Sequence, residues 1–355
     1  MADDFLQFSA EIDPGSIVSG APTRAPIVRI RDVIVCAVDN NDKVEVEEYR
    51  LHPPVGEERI ADDDIYVESV AIGEGAVLRQ LDDDEAELIA NACTQRGHYF
   101  HPIRQFGQRY SFERERPLSD AEDHRFGWDP DHVLGDALML SRLVRDNGFS
   151  MQWAARIIDY EDGQKSVIYT PGHEGKGAYR LRRDREWLDG PEAEALARLF
   201  AAFRGTELPD RVGRAMWRCE YATWQRYTDV ALPMIVGGLE ALLGLGRSDT
   251  SRRFKDRLAA MASELGIDGI EGDLLDRMYE GRSAWVHGSP VRLFDPAADP
   301  EREPDAQPDA AMEAVLAEIV RLQDTLRAAL RMAIEDPEFR AVFESEAWIA
   351  ERWGG

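Results

Sequence analysis

From Pro191 onward the chain is written in helical periodicity, and this constrains its fold more than any other feature. The apolar positions Val315, Ile319, Leu322, Leu326 and Leu330 recur every three to four residues along Ala311–Ile334. That spacing gives one apolar stripe, which is buried only by packing against other helices. Shorter helical segments precede it at Glu192–Phe203, Val212–Tyr227, Met234–Leu243, Arg252–Leu265 and Asp273–His287. Glycines end several of them (Gly244 and Gly246, Gly266, Gly288), and Asp249-Thr-Ser251 offers N-cap residues to the helix that begins at Arg252. Pro233 either kinks or restarts the chain before Met234. Residues 295–310 carry four prolines and six acids and read as a loose loop.

The first half has a different period. Ile27–Val38 is rich in β-branched residues, and a turn signal follows at Asp39-Asn40-Asn41-Asp42. Val44–Tyr49 alternates apolar and acidic residues, and Ile65–Ile72 is a further strand closed by Gly73 and Gly75. Asp82–Arg96 reads as a helix with acids in its first turn, and Val133–Asp146 as another. Strands are expected near Ala154–Tyr160 and Ser166–Thr170. The expectation is an α+β chain. A β-rich mixed sensor or regulatory domain spans 1–150 and a connecting mixed region 151–204. A helical bundle then occupies 205–335, with a tail helix over 336–355.

Charge bears on what such a chain can bind. The net charge is −26, yet residues 1–100 carry −14 of it and residues 211–290 are neutral. A polyanion would therefore dock on the bundle and not on the acidic N-terminal part, which is left to contact protein or to restrain the bundle. The densest basic stretch of the bundle is Arg247, Arg252, Arg253, Lys255 and Arg257, a candidate RNA track whose plain alternative is a solvated helix face. Arg180, Arg182, Arg183 and Arg185 form a second basic cluster with the same two readings. Cys36, Cys93 and Cys219 are widely spaced, which suits a reducing cytoplasm. No apolar run reaches the roughly 20 residues of a membrane span, and the acidic N-terminus is unlike a signal peptide. His98-x-x-His101 with Cys93 lacks a fourth ligand for zinc, and Gly244-x-Gly246 lacks the Lys-Ser/Thr of a phosphate loop, so neither a metal nor a cofactor is expected.

The helix Asp273–His287 carries the chemistry. Arg282 lies four residues from both Met278 and Val286, so it points along an apolar stripe, where a guanidinium needs a partner, an interface or a function. His287 falls in the last turn, where the negative helix end favours the imidazolium. Three segments, Gly238-Leu-Glu-Ala-Leu-Leu243, Arg252-Arg-Phe-Lys-Asp-Arg-Leu-Ala259 and Leu275-Asp-Arg-Met-Tyr-Glu-Gly-Arg-Ser-Ala-Trp-Val-His-Gly288, together resemble a HEPN domain, most of all its ApeA-like branch. The resemblance covers about 130 residues, and its Arg-x4-His motif is Arg282 and His287.

The resemblance implies a metal-independent endoribonuclease working as a homodimer, its two motif helices face to face. A ribose 2′-OH would attack the adjacent phosphorus, leaving a 2′,3′-cyclic phosphate and a 5′-OH. His287 would transfer the proton, and Arg282 would hold the phosphate. Glu240 would orient Arg282, Tyr279 would touch substrate or pack in the core, and Ser283 stands where the family often has a stronger orienting residue. Ser289 replaces the tyrosine that some members carry two residues after the histidine, so control by tyrosine modification is not expected. The resemblance also implies antiviral defence through abortive infection or toxicity, triggered by a protein or phage-derived signal. The alternative is a non-catalytic scaffold that uses the bundle to dimerise.

Overall fold

The computed structural model describes residues 25–37, 69–81, 84–85, 88–89, 109–118, 132–145, 150–170, 188–223, 228–244, 250–270, 272–286 and 310–354. Its first half is an antiparallel sheet of β1 (Ile27–Ala37), β2 (Ser69–Gly73), β3 (Ala76–Gln80), β4 (Arg109–Arg116), β5 (Ser150–Tyr160) and β6 (Lys165–Thr170). The order across the sheet is β2-β3-β4-β1-β5-β6, so the first strand is central, paired with β4 and β5. Its apolar content follows from that place, because residues 30–36 are all buried. The turn between β2 and β3 puts Glu74 and Gly75 at φ 49° and 78°, the left-handed pair that a two-residue hairpin needs. The strand expected at Val44–Tyr49, the zinc candidates Cys93, His98 and His101, and the arginines of 180–185 lie outside the described residues.

One helix, α1 (Val133–Val144), lies between β4 and β5, and helices follow the sheet: α2 (Gly190–Arg204), α3 (Asp210–Thr223), α4 (Thr228–Leu243), α5 (Thr250–Glu264), α6 (Asp273–Val286), α7 (Ala310–Glu335), α8 (Pro337–Val342) and α9 (Glu346–Trp353). Side-chain caps fix the starts of three of them. Asp189 accepts from the Glu192 amide at 2.9 Å while Glu192 accepts from the Asp189 amide at 3.0 Å, a reciprocal cap that starts α2. Asp336 and Ser345 cap α8 and α9 in the same way from one side. Pro233 neither restarts the chain nor ends the helix: it lies buried within α4, where its missing amide removes one ladder bond in the second turn.

The expected order of a β-rich part followed by helices is what the chain adopts. The sheet, however, continues through residue 150, where β5 begins, to Thr170. One apolar core joins both halves: Ile34, Leu78 and Phe112 of the sheet pack in the same cluster as Leu134 of α1, Phe200 of α2 and Leu326 of α7. Each such side chain contributes about 1.5–3 kcal/mol by burial. The last residues are part of it too, forming two helices whose Phe339, Phe343 and Trp353 pack ring against ring.

The other face of the sheet is ionic. Arg31 on β1, only 2% exposed, donates to Glu85 at 2.6 Å and to Glu113 at 3.2 Å. Arg79 joins the same two carboxylates, Lys165 reaches Glu85 at 3.0 Å, and Ser111 donates to Glu113 at 2.7 Å. Burial alone would raise the Glu85 pKa, but hydrogen bonds from Arg31 and Lys165 outweigh it and hold the carboxyl at about 2. Removing it takes the shortest acceptor from a buried guanidinium and leaves Glu113 as its remaining close partner, so Glu85→Ala is expected to cost about 3 kcal/mol in denaturant unfolding at neutral pH. A depressed carboxylate stabilises the fold above its ordinary value of 4.5 and loses that effect as pH falls towards 2. The gap in unfolding free energy between the native chain and Glu85→Ala should therefore narrow over that interval. A gap that stays constant would mean that charge is not what Glu85 contributes.

Candidate functional site

Helix α6 presents Leu274, Leu275 and Met278 to the core, and these fix its rotation against α4 and α5. Arg282 lies one turn beyond Met278 on the same side. Its Nη2 donates to the Glu240 carboxylate of α4 at 2.7 Å. The Glu240 side chain is 11% exposed and the Arg282 side chain 27%. The guanidinium is thus anchored from within, while about a quarter of the side chain remains exposed. Glu240 has a second cation near it, Arg218 of α3, which donates to the Gly237 carbonyl one turn earlier on α4. A Cβ on Gly237 would come within 2.9 Å of Arg218 Nη1, and one on Gly238 within 2.8 Å of Leu326. The paired glycines therefore let α3 and α7 close in on α4 beside the carboxylate. Burial pushes the Glu240 pKa above the ordinary carboxylate range, against the pull of Arg282 and Arg218.

The residues singled out in the sequence divide on inspection of their surroundings. Glu240 and Arg282 are brought together. Tyr279 sits one turn before Arg282 but packs on Phe254 of α5, ring centroids 5.5 Å apart, as part of the core wall. Ser283 follows Arg282 in α6, its side chain beyond the described set, and His287 and Arg247 lie outside the described residues. The basic stretch of α5 is not one surface. Arg257 is 1% exposed; its guanidinium donates to the carbonyls of Leu243 (2.7 Å), Gly244 (3.0 Å) and Gly354 (2.7 Å) and to Glu346 (2.7 Å). A residue so enclosed does not touch RNA, and the expectation for Arg257 is corrected: it ties the end of α4 to α9. Arg252 is exposed and Arg253 partly so. Lys255 pairs with Asp276 of α6 at the surface, a contact worth at most about 1 kcal/mol and easily exchanged for a phosphate.

Sequence reasoning missed Arg218. Its signal was present only indirectly, in the Gly237-Gly238 pair that makes room for a large neighbour on a facing helix. Chemically the arrangement offers one accessible guanidinium held by a buried carboxylate, with a second cation beside it, which suits the binding of an oxyanion. Among the described residues no cluster of side chains could hold a metal ion, and no helix is long and apolar enough to cross a membrane. No protein-family profile, curated protein or solved structure matches this chain.

Two outcomes follow from these environments. A carboxylate whose folded pKa is raised contributes fully below the unfolded value of 4.5 and loses that contribution as pH rises through the folded value. The Glu240→Gln variant should lack this decline, so its unfolding free energy should gain on the native chain's as pH rises above 4.5. Arg257→Ala should destabilise by roughly 3–5 kcal/mol, because it strips the partner from several buried carbonyls at once. Arg252→Ala, on the exposed face of the same helix, should shift stability by no more than about 0.5 kcal/mol. Equal thermal midpoints for those two variants would contradict the assignment of Arg257 to the interior.

Proposed function

We propose that this chain is a metal-independent endoribonuclease of the HEPN type, acting in the cytoplasm as a homodimer in antiviral defence. The observation that carries the reading is the Glu240–Arg282 pair. The arginine of the Arg-x4-His motif is held at 2.7 Å by the glutamate of the Leu-Glu-Ala-Leu-Leu helix, with about a quarter of its side chain left accessible. In the proposed reaction a ribose 2′-oxygen gives up its proton and bonds to the adjacent phosphorus. The bond from phosphorus to the 5′-oxygen breaks, and that oxygen is protonated. His287, directly after the last residue of α6, serves the proton transfers. Arg282 neutralises the charge that builds on the phosphoryl oxygens.

Arg252, Arg253 and Lys255, with Arg247, would guide the strand; Arg257 takes no part. Two copies facing each other through α6 would bring two arginines and two histidines to one cleft. The acidic N-terminal part would respond to a trigger, and activity would serve abortive infection or act as a toxin. A second reading, a non-catalytic scaffold that dimerises through the bundle, draws on the same ion pair, since Arg282 has a structural partner without any substrate.

The assay is cleavage of total RNA in EDTA by the purified chain. His287→Ala and Arg282→Ala should each lose about 10²–10⁴ in rate while circular dichroism and thermal midpoint stay those of a folded protein. Products should end in cyclic phosphate and 5′-OH, and light scattering at micromolar concentration should give the mass of two chains. Folded protein that never cleaves would leave the scaffold; full activity in both variants would remove the assigned site.

A further inference from the structure

The last two helices form a cleft that the proposed reaction does not use. It encloses about 500 Å³ open to solvent, lined by Glu338, Ala341 and Val342 of α8 and by Trp348, Glu351 and Arg352 of α9. The cleft stands on a fixed base. Asp336 and Ser345 cap the two helices, and Phe339, Phe343 and Trp353 pack ring against ring beneath them. Glu346, at the start of α9, is held by Arg257, and the Trp353 indole donates to Glu264 at 2.7 Å. The wall of the cleft is Trp348, which is 46% exposed, more than any other aromatic ring among the described residues. Its backbone amide donates to the Ser345 hydroxyl, but no hydrogen bond or ring contact engages the indole among the described residues.

We propose that this cleft is a docking site for an arginine side chain carried on a basic segment of a partner protein. The guanidinium lies on the Trp348 ring, whose π-electrons attract a cation more strongly than those of the smaller rings. Glu338 and Glu351 stand on the two helices of the cleft, and no ion pair engages either carboxylate among the described residues. Arg352, the one cation of the lining, is already answered. It is bonded to Glu264 at 3.1 Å and lies over the Phe339 ring, 5.2 Å from its centre. Glu338 adds to the field on Arg352 without bonding to it. The charge left for an occupant to meet is therefore negative. Arginine suits this set better than lysine, because its planar fork stacks on a ring while its edges donate to carboxylates. An open cleft leaves a small free cation mostly in water, whereas a chain crossing both helices also covers Ala341 and Val342. Nucleic acid fits badly, since its phosphates would meet Glu338 and Glu351. A second copy docked about a two-fold axis here would set those carboxylates against their own counterparts. Neither Arg282 nor His287 takes part, so the cleft stands apart from the nuclease reading.

The test is fluorine NMR of the full chain carrying fluorotryptophan, titrated with the peptide acetyl-Gly-Arg-Leu-Gly-amide. The resonance missing from Trp348→Phe identifies position 348 among the eight tryptophans. That resonance should shift saturably with a dissociation constant on the order of 1 mM, the strength of one anchored side chain. The lysine peptide should bind about threefold more weakly. The citrulline peptide, alike in shape but uncharged, should leave the resonance in place. Glu338→Gln and Glu351→Gln, both at exposed positions, should keep the native thermal midpoint and each weaken binding by about two- to fivefold. Glu194→Gln, on the exposed face of α2, removes the same charge elsewhere and should leave binding unchanged. A Trp348 resonance that stays still up to about 10 mM peptide, whether or not other tryptophan signals move, would overturn the site. So would an equal shift with citrulline, which means apolar contact alone, or an equal loss in Glu194→Gln, which means diffuse attraction to an acidic chain. A shift on dilution without peptide would give this face to a second copy, and a shift with single-stranded RNA but not with the peptide would give it to nucleic acid; each of these also ends the proposal.

Discussion

A guanidinium stays charged at every pH that a folded protein survives, so each arginine taken into the interior must bring its acceptors with it. In this chain that requirement ties the secondary structure together. Arg31 joins the central strand to Glu85 and Glu113, and Arg142 of α1 reaches Glu220 of α3. Arg204 of α2 bonds both Glu74 in the β-hairpin turn and Asp136 of α1. Arg257 gathers the end of α4 and α9, and Arg282 joins α6 to α4. The apolar core supplies most of the free energy, but it is tolerant of small rotations and slips. The directed, charge-assisted bonds of the arginines are not, and they settle how the helices stand against one another.

The same logic separates structural arginines from the one with chemistry to offer. Arg31 and Arg257 are enclosed, and the bonds they donate end on protein oxygens, although the Arg31 Nε finds no acceptor among the described residues. Arg282 differs by degree of exposure. One side of it is bound to a carboxylate whose own burial disfavours its charge, and another side meets solvent. A cation balanced so incompletely is available to an incoming phosphate, which is why the proposed reaction centres on it. The overall charge of −26 is not concentrated around this arginine, because residues 211–290 carry no net charge and Glu240 is paired with Arg282 itself.

Much of the architecture was legible in the residues. The three-to-four-residue spacing of apolar side chains marked most of the helices to within a few residues of their ends, because that spacing is the condition for burying one face. The exception is α4, which begins at Thr228 where the spacing points to Met234. The cap at Asp189 and Glu192 could be read as a local pattern, since both partners lie within one turn. The strands at Ile27–Ala37 and Lys165–Thr170 could be read from β-branched content, but not their pairing. Nothing in Arg31 announces that it will be covered by Glu85, a partner 54 residues away.

At the site, the sequence by itself determined which helix carries Arg282, that this arginine shares an apolar side with Met278, and that Glu240 stands on a separate helix. These are properties of period and order, which neighbouring residues decide among themselves. Only the tertiary structure decided that Glu240 and Arg282 meet at 2.7 Å, that Arg218 stands beside them, and that Arg257 turns inward while Arg252, five positions earlier, stays outside. Both arginines belong to one basic run, and their sequence neighbourhoods are alike. What separates them is the position of α9 and of the α4 terminus, whose carbonyls come from residues 13 to 97 positions distant. A side chain's charge is local, but whether water or protein answers it depends on which distant backbone the fold brings alongside.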